Sequence, residues 1–314
     1  MSSKDMEAIL QHSATFKKER AAGHARPLAN QTWALLFSKS STRTRVSFEV
    51  GIRELGGEVI FLSASDIQLG RGEPIKDTAR VLGRMVHGAI IRTYAQQYVE
   101  EFAHYSGIPT INALTDQEHP CQILTDIFTF QEKRGPIRGK TVTFVGDGAC
   151  NVAVSWVFAA AKLGFQLRIA APKEYQPSKS VLARAGAASL SGASDGGPFE
   201  WRSCSFPESG GSVESTESVE SAAAGADLLY TDVWVSMGKE TESAERLKKL
   251  TGYQINQGLL KAAKPNALVM HCLPAYRGKE IEEATFEAHA QTIFDEAENR
   301  LHVQKAILDW AVGD

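Results

Sequence analysis

Apolar positions along this chain switch between two repeats. Thr32-Trp-Ala-Leu-Leu-Phe37 is a continuous apolar run, the mark of a buried strand. After it, Phe48, Ile52 and Leu55 recur at i, i+4 and i+7, which predicts a helix. Ahead of both, Met6, Ile9, Leu10 and Phe16 already follow a helical spacing. The switching continues, with strands predicted at 32–37, 58–62, 88–94 and 109–113. Ile75, Ala79, Leu82 and Val86 share a helical face, as do Val99, Phe102 and Ser106. A long helix is predicted from Pro120 to Arg134, with proline in its first turn and Gly135-Pro136 closing it. The second half opens with a strand, Thr141 to Gly146, and a helix running to Leu163. Strands follow at 166–171, 227–233 and 267–272, and a closing helix runs from Asn299 to Val312. Such alternation predicts parallel sheets covered by helices. The expected fold class is α/β, with two doubly wound parallel-sheet domains joined by interdomain helices. Between about 185 and 218 the composition shifts to Ala, Ser and Gly, which predicts a surface insertion or flexible loop.

Length and charge narrow the class. A chain of 314 residues is long enough for two domains. Its 34 basic and 37 acidic side chains leave a net charge of −3, which gives no support for a nucleic-acid surface. No apolar run approaches the ~18 residues that span a bilayer, so no membrane partner is expected. Cys121, Cys150, Cys204 and Cys272 lie far apart without metal-finger spacing, which predicts free thiols in a reducing compartment. Met-Ser-Ser-Lys-Asp lacks the apolar stretch of a secretory leader. The location expected is intracellular, in the cytoplasm or a mitochondrial matrix.

The chemistry is densest at Ser38-Lys-Ser-Ser-Thr-Arg-Thr-Arg45, between the first strand and the helix that follows. The first N–H groups of a helix lack internal partners, and the helix dipole puts partial positive charge there. Ser41, Thr42 and Thr44 add hydroxyl donors and Arg43 a planar fork, making a socket suited to phosphate. Ser-Thr before a helix is also an ordinary N-cap, so this stretch alone leaves both readings open.

Further motifs stand at strand ends. Gly146-Asp-Gly148 invites a dinucleotide reading, but Asn151 replaces the third glycine. The next strand also ends in Ala170-Ala-Pro172, where a ribose-binding carboxylate would stand. Asn151 could instead hold the charged end of an amino acid. In His119-Pro-Cys-Gln122, His119 can donate to an oxygen gaining negative charge and Gln122 can accept from an amide nitrogen. In Asp232-Val-Trp-Val-Ser-Met-Gly238, Asp232 can hold an ammonium while Ser236 and Met237 line a short aliphatic chain. His271-Cys-Leu-Pro-Ala275 puts Cys272 at the last strand's end, beside a carboxylate that disfavours the thiolate. Orientation and proton handling are expected of it rather than covalent catalysis.

In order and spacing, Ser41-Thr-Arg-Thr-Arg45, His119-Pro-Cys-Gln122, Asp232 to Gly238 and His271-Cys-Leu-Pro274 resemble the signatures of the aspartate/ornithine carbamoyltransferase family, and its ornithine branch in the last two. The resemblance runs from the first helix to the closing one. It implies a carbamoyl-phosphate domain at 1–133, an ornithine domain at 134–298, and helix 299–314 packing back on the first. It implies transfer of a carbamoyl group from carbamoyl phosphate to the side-chain amine of L-ornithine, with neither organic cofactor nor metal. Ser41, Thr42, Arg43 and Thr44 would hold the phosphate. Gln68 would reach the phosphate of a neighbouring subunit in a homotrimer with sites at subunit interfaces. Arg92, His119 and Thr44 would polarise the carbamoyl oxygen, and Gln122, Cys272, the Leu273 carbonyl and Arg300 would complete those contacts. Asn151, Asp232, Ser236 and Met237 would grip ornithine, with Cys272 close to its side chain. Arg92, His119, Asp232 and Cys272 are thus the expected catalytic group. Rival readings are a carbamoyltransferase for putrescine or an acylated ornithine, and a non-catalytic protein that kept the fold. An α-ammonium needs a carboxylate, so the Asp232 loop favours free ornithine.

Overall fold

The computed structural model describes residues 1–23, 25–63, 72–187, 190–191, 202–235 and 243–313. The chain forms two compact units, 1–128 with 298–314, and 129–297. Gln68, Ser236 and Met237 lie outside the described residues.

In the first unit the order is α1 Ser3–Lys18, β1 Thr32–Phe37, α2 Thr42–Glu54, β2 Glu58–Ser63, α3 Ile75–Leu82, β3 Gly88–Arg92, α4 Gln96–Ser106 and β4 Thr110–Leu114. Helix α5, Pro120–Arg134, then carries the chain across the division between the units. The four strands are all parallel, in the order β2-β1-β3-β4. Strand β1 is central, and Trp33 to Phe37 are all buried. One side chain in two faces each side of a strand. Ala34, Leu36, Ala89 and Ile91 therefore meet Ala79 of α3 and Val99 and Phe102 of α4 in one core. Gly88 pairs with Trp33, and a Cβ there would stand 2.5 Å from the indole.

The second unit continues with β5 Thr141–Val145, α6 Asn151–Leu163, β6 Gln166–Ala170, α7 Lys179–Arg184, β7 Leu190–Ser191, β8 Arg202–Phe206, β9 Gly211–Thr216, α8 Val219–Ala223 and β10 Leu228–Thr231. It ends with α9 Ser243–Leu250, α10 Gln257–Leu260, β11 Leu268–His271, α11 Glu283–Ala288 and α12 Ala290–Val312. Helix α12 returns the chain to the first unit, to which residues from Glu298 onward belong. The sheet order is β11-β10-β5-β6-β9-β8-β7. Its core on one face gathers Val145, Leu229, Val269, Ile255 and Phe286. Phe144 and Trp156 pack around Tyr230, with ring centroids 5.9 and 5.3 Å from it.

The sheets bear out the expected fold class, with β8 antiparallel to its neighbours β7 and β9 at one edge of the second. One expectation needs correction: within 185–218, expected to be an insertion or loop, the described residues supply strands, with β8 and β9 forming a hairpin and β9 parallel to β6, while 188–189 and 192–201 lie outside the described residues. The strand period is present in β9, where Val213 and Ser215 are buried between half-buried Ser212 and Glu214. Small hydroxyl side chains disguised it. Gly211 belongs to this packing, because a Cβ there would stand 2.2 Å from the Ala160 carbonyl oxygen.

Open α/β sheets bind ligands at the carboxyl ends of strands where the strand order reverses. In the first unit the chain leaves β1 for β2 on one side and passes back to β3 on the other. In the second it leaves β5 for β6 on one side and later returns to β10 on the other. The favoured edges are therefore the ends of β1 and β3, and of β5 and β10.

The turn after β5 explains its glycines without a nucleotide. Gly146 has φ of 129°, a left-handed value, and a Cβ on Gly148 would lie 2.4 Å from Ile169 Cγ2. Overpacking such a site costs about 1–3 kcal/mol. Gly148→Ala is expected to lower the unfolding midpoint in urea, followed by far-UV circular dichroism. A midpoint equal to the wild type's would refute the close packing assigned to this turn.

Candidate functional site

In the first unit the socket stands at the end of β1, as the switch in strand order requires. Ser41 is the N-cap of α2, and its hydroxyl accepts from the Thr44 N–H at 3.3 Å. No acidic side chain occupies the first turn of α2, so its dipole has no built-in counter-charge. Thr42 is exposed, Arg43 is half-buried and Thr44 is fully buried. The Arg43 Nε is buried without a hydrogen-bond partner among the described residues.

Arg92 ends β3, and its carbonyl accepts from the Ser38 N–H at 2.8 Å, which ties the two strand ends together. His119 and Gln122 stand at the start of α5. Arg300 reaches the same place from α12, with Nη2 donating to Thr44 Oγ1 at 2.5 Å. Arg92, His119, Gln122 and Arg300 are each 5% exposed or less. Burial holds the His119 imidazole well below its ordinary value, with the Arg300 and Arg92 guanidiniums adding to the effect. A neutral imidazole near two fixed cations can donate to an oxygen without bringing a third charge.

Three supports of this corner left little trace in the sequence. Lys39 is buried; it pairs with Asp116 and lies 4.4 Å from the Tyr94 ring centroid. It thus ties the loop after β1 to the loops after β3 and β4. Asp126 accepts from Gln122 Nε2 at 2.7 Å, one helical turn on. Asn299, beside Arg300, accepts from Lys17 Nζ at 2.7 Å, linking α12 to α1.

In the second unit Asn151 begins α6, and Asp232 and Cys272 follow β10 and β11 directly. The Cys272 thiol donates to Asp232 Oδ1 at 3.1 Å, and the Val233 N–H donates to the same oxygen at 2.7 Å. Burial raises the Asp232 carboxyl, opposed by His271 and these hydrogen bonds. Burial also drives the Cys150 thiol well up, helped by Asp147 and Asp232. Cys121 is pushed to about 12, so neither thiol is a nucleophile.

Asp232, His271 and Cys272 put one ligand atom each within 4.8 Å of one another, a set that could take a soft divalent cation. Both nitrogens of His271 have other work. Nδ1 accepts from the Leu273 N–H at 2.9 Å, and Nε2 lies 3.3 Å from Glu280 Oε1. This holds Leu273 at φ 58°, a left-handed conformation that costs a non-glycine residue about 1–3 kcal/mol and gathers at functional sites. The sequence marked His271 only as a motif neighbour, and Glu280 not at all. It also missed the buried pair of Arg246 and Asp147, in which Arg246 Nε donates to the Trp234 carbonyl at 2.8 Å. That pair fixes the backbone two residues beyond Asp232 to the turn preceding Asn151.

Comparison with known proteins shows the family to which the chain belongs. Residues 1–132 match the family model for the carbamoyl-P binding domain of aspartate/ornithine carbamoyltransferase, and 138–311 that for its Asp/Orn binding domain. An ornithine carbamoyltransferase of Akkermansia muciniphila is 54% identical over 294 residues, covering 93% of this chain and 89% of its own. The solved ornithine carbamoyltransferase of Pyrococcus furiosus superposes with a TM-score of 0.88 at 42% identity, over 100% of this chain and 95% of that one. The anabolic ornithine carbamoyltransferase of Campylobacter jejuni gives 0.87 at 38%, over 99% and 96%. With both of the family's domains matched along almost its whole length, the chain belongs to the aspartate/ornithine carbamoyltransferase family.

Proposed function

We propose that this chain transfers the carbamoyl group of carbamoyl phosphate to the side-chain amine of L-ornithine, giving L-citrulline and phosphate. The observation that carries the reading is the buried corner of Thr44, Arg92, Arg300 and a neutral His119, in a chain 54% identical to an ornithine carbamoyltransferase. The uncharged amine attacks the carbonyl carbon, and negative charge builds on the carbonyl oxygen. Arg92, His119 and Thr44 donate there, each typically worth about 3–4 kcal/mol by deletion. The carbon–oxygen bond to phosphate then breaks, and phosphate leaves with the electron pair into the hydroxyls and guanidinium of residues 41–44. The amine's proton goes to phosphate or solvent.

Gln122, Cys272, the Leu273 carbonyl and Arg300 hold the carbamoyl group. Asn151, Asp232, Ser236 and Met237 hold the amino-acid end of ornithine, with Asp232 taking the ammonium. The working assembly is a homotrimer in which Gln68 of one copy reaches a neighbour's phosphate. The step serves arginine biosynthesis in the cytoplasm or a mitochondrial matrix. Among the described residues no helix is long and apolar enough to cross a membrane.

The direct test is colorimetric citrulline formation from carbamoyl phosphate and ornithine, with putrescine and aspartate as alternative acceptors. Ornithine is expected to be the one good acceptor; turnover of putrescine in its place would overturn the substrate assignment. Arg43→Ala should weaken carbamoyl phosphate binding by about a hundredfold, the loss of charge-assisted hydrogen bonds to phosphate. Normal affinity in that variant would remove the socket from the mechanism.

The histidine makes a separate prediction about pH. The unfolded chain takes up a proton near the ordinary 6.5, while burial and the two guanidiniums keep folded His119 neutral far below it. Its contribution to stability is therefore full above 6.5 and is lost as pH falls through that value toward the depressed folded one. His119→Asn is expected to flatten the decline in melting temperature between about pH 7 and pH 5. His289 and His302, also lowered by burial, contribute slope of the same sign. An unchanged slope would show that His119 titrates normally.

A further inference from the structure

Gln122 and Asp126 share one face of α5, four residues apart, and are 1% and 0% exposed. The Gln122 side-chain Nε2 stands 2.7 Å from Asp126 Oδ1. An amide has two chemically opposite ends, an NH₂ that only donates and an oxygen that only accepts. An ionised carboxylate only accepts. In the structure the Gln122 amide is placed with its NH₂ donating to Asp126, the one placement that an ionised carboxylate allows. The carboxylate thus commits the NH₂ to itself and leaves the oxygen as the end that faces away. Charge-assisted bonds of this kind are roughly twice as strong as neutral ones, and burial removes the water that would compete.

We propose that Asp126 is a positioning residue that sets which end of Gln122 meets the substrate, and so makes the site select a carbamoyl group over an acyl group of the same shape. The inference rests on the functional reading above, in which Gln122 touches the carbamoyl group. A carbamoyl group ends in NH₂, a donor; an acetyl group ends in a methyl, which is neither donor nor acceptor. With its oxygen presented, Gln122 accepts from the carbamoyl NH₂. With the amide turned over, two NH₂ groups face each other and both lose a partner. Asp126 does this without touching the substrate itself.

The test uses two stable ligands of matched shape: phosphonoacetamide, which carries the carboxamide NH₂, and acetonylphosphonate, which carries a methyl in its place. Dissociation constants for both, and for inorganic phosphate, are measured by calorimetry on the full-length protein. Asp126→Asn keeps the size but adds a donor, so Gln122 can turn over. It is expected to weaken phosphonoacetamide binding by roughly ten- to hundredfold. Binding of acetonylphosphonate and phosphate should stay within about threefold, since neither uses the amide oxygen. Asp126→Ala, which removes the carboxylate without adding a donor, should erode the same preference and serves if the asparagine variant does not fold. Asp126→Glu, which restores an acceptor, should recover the preference.

A preference unchanged in both the asparagine and alanine variants would overturn the proposal. So would an equal loss for all three ligands, the mark of a merely structural role. Failure of the reaction assignment reads differently. A wild-type protein that prefers phosphonoacetamide but makes no citrulline would sink the reaction and leave the amide orientation standing.

Discussion

The first unit is organised around positive charge that it cannot discharge. Arginine does not give up its proton in proteins, so Arg92 and Arg300 carry full charge while buried at the carboxyl edge of a four-stranded sheet. Removing such ions from water costs several kcal/mol each. Part is offset by hydrogen bonds such as the one from Arg300 to Thr44. Beside them, burial holds His119 neutral, and the two guanidiniums add to that effect. The histidine's neutral state is imposed first by burial and then by the arginines. A dianionic ligand entering here would relieve the same tension, which is how a site can be unfavourable empty and selective when filled.

Much of this was legible because the residues concerned sit where strand and helix periods meet. Ser41 to Arg45 stood out since hydroxyls and guanidiniums rarely crowd the start of a helix without a ligand or a cap to make. Asp232 and Cys272 were findable because each directly follows an apolar run. Asp126, Arg246, Glu280 and Lys39 were not. Each is a charged residue whose partner lies in another element or one helical turn away, and in sequence a lone charge in a helix or a loop reads as a solvated position. Burial alone reveals them, and burial of a charge depends on packing that no local pattern encodes. The strands β8 and β9 were hidden for a related reason. In β9 the buried positions are Gly211, Val213, Ser215 and Thr216, and in β8 Phe206 is the one large apolar residue among them, so the apolar signal of a strand was weak.

The second unit treats two buried carboxylates differently, and the contrast assigns their roles. Asp147 is matched by the Arg246 guanidinium, a complete ion pair with both side chains 4% exposed. A buried pair of that kind does little for net stability but fixes geometry, here the turn before Asn151 and the backbone after Asp232. Among the described residues, Asp232 receives a thiol proton and one backbone N–H on the oxygen the two share. Those donors are too weak to cancel the effect of burial, and its carboxyl stays raised. A carboxylate so placed has capacity for a cation, whereas Asp147 already has its own in Arg246.

The thiol's direction of donation follows from the same imbalance. For Cys272 to act as a nucleophile it would have to lose its proton 3.1 Å from a carboxylate, placing two negative charges together in a buried pocket. The favoured state keeps the proton on sulfur and points it at Asp232. When an ammonium approaches, the carboxylate's charge is stabilised and its raised pKa must fall, so ligand binding and ionisation of Asp232 strengthen each other. The thiol need only hold one carboxylate oxygen in place meanwhile. A serine could donate the same hydrogen bond, but its hydroxyl is a stronger donor and would compete harder for the carboxylate's charge. Sulfur's weaker donation leaves that charge available, which makes cysteine suited to this position as an orienting group and not as a reagent.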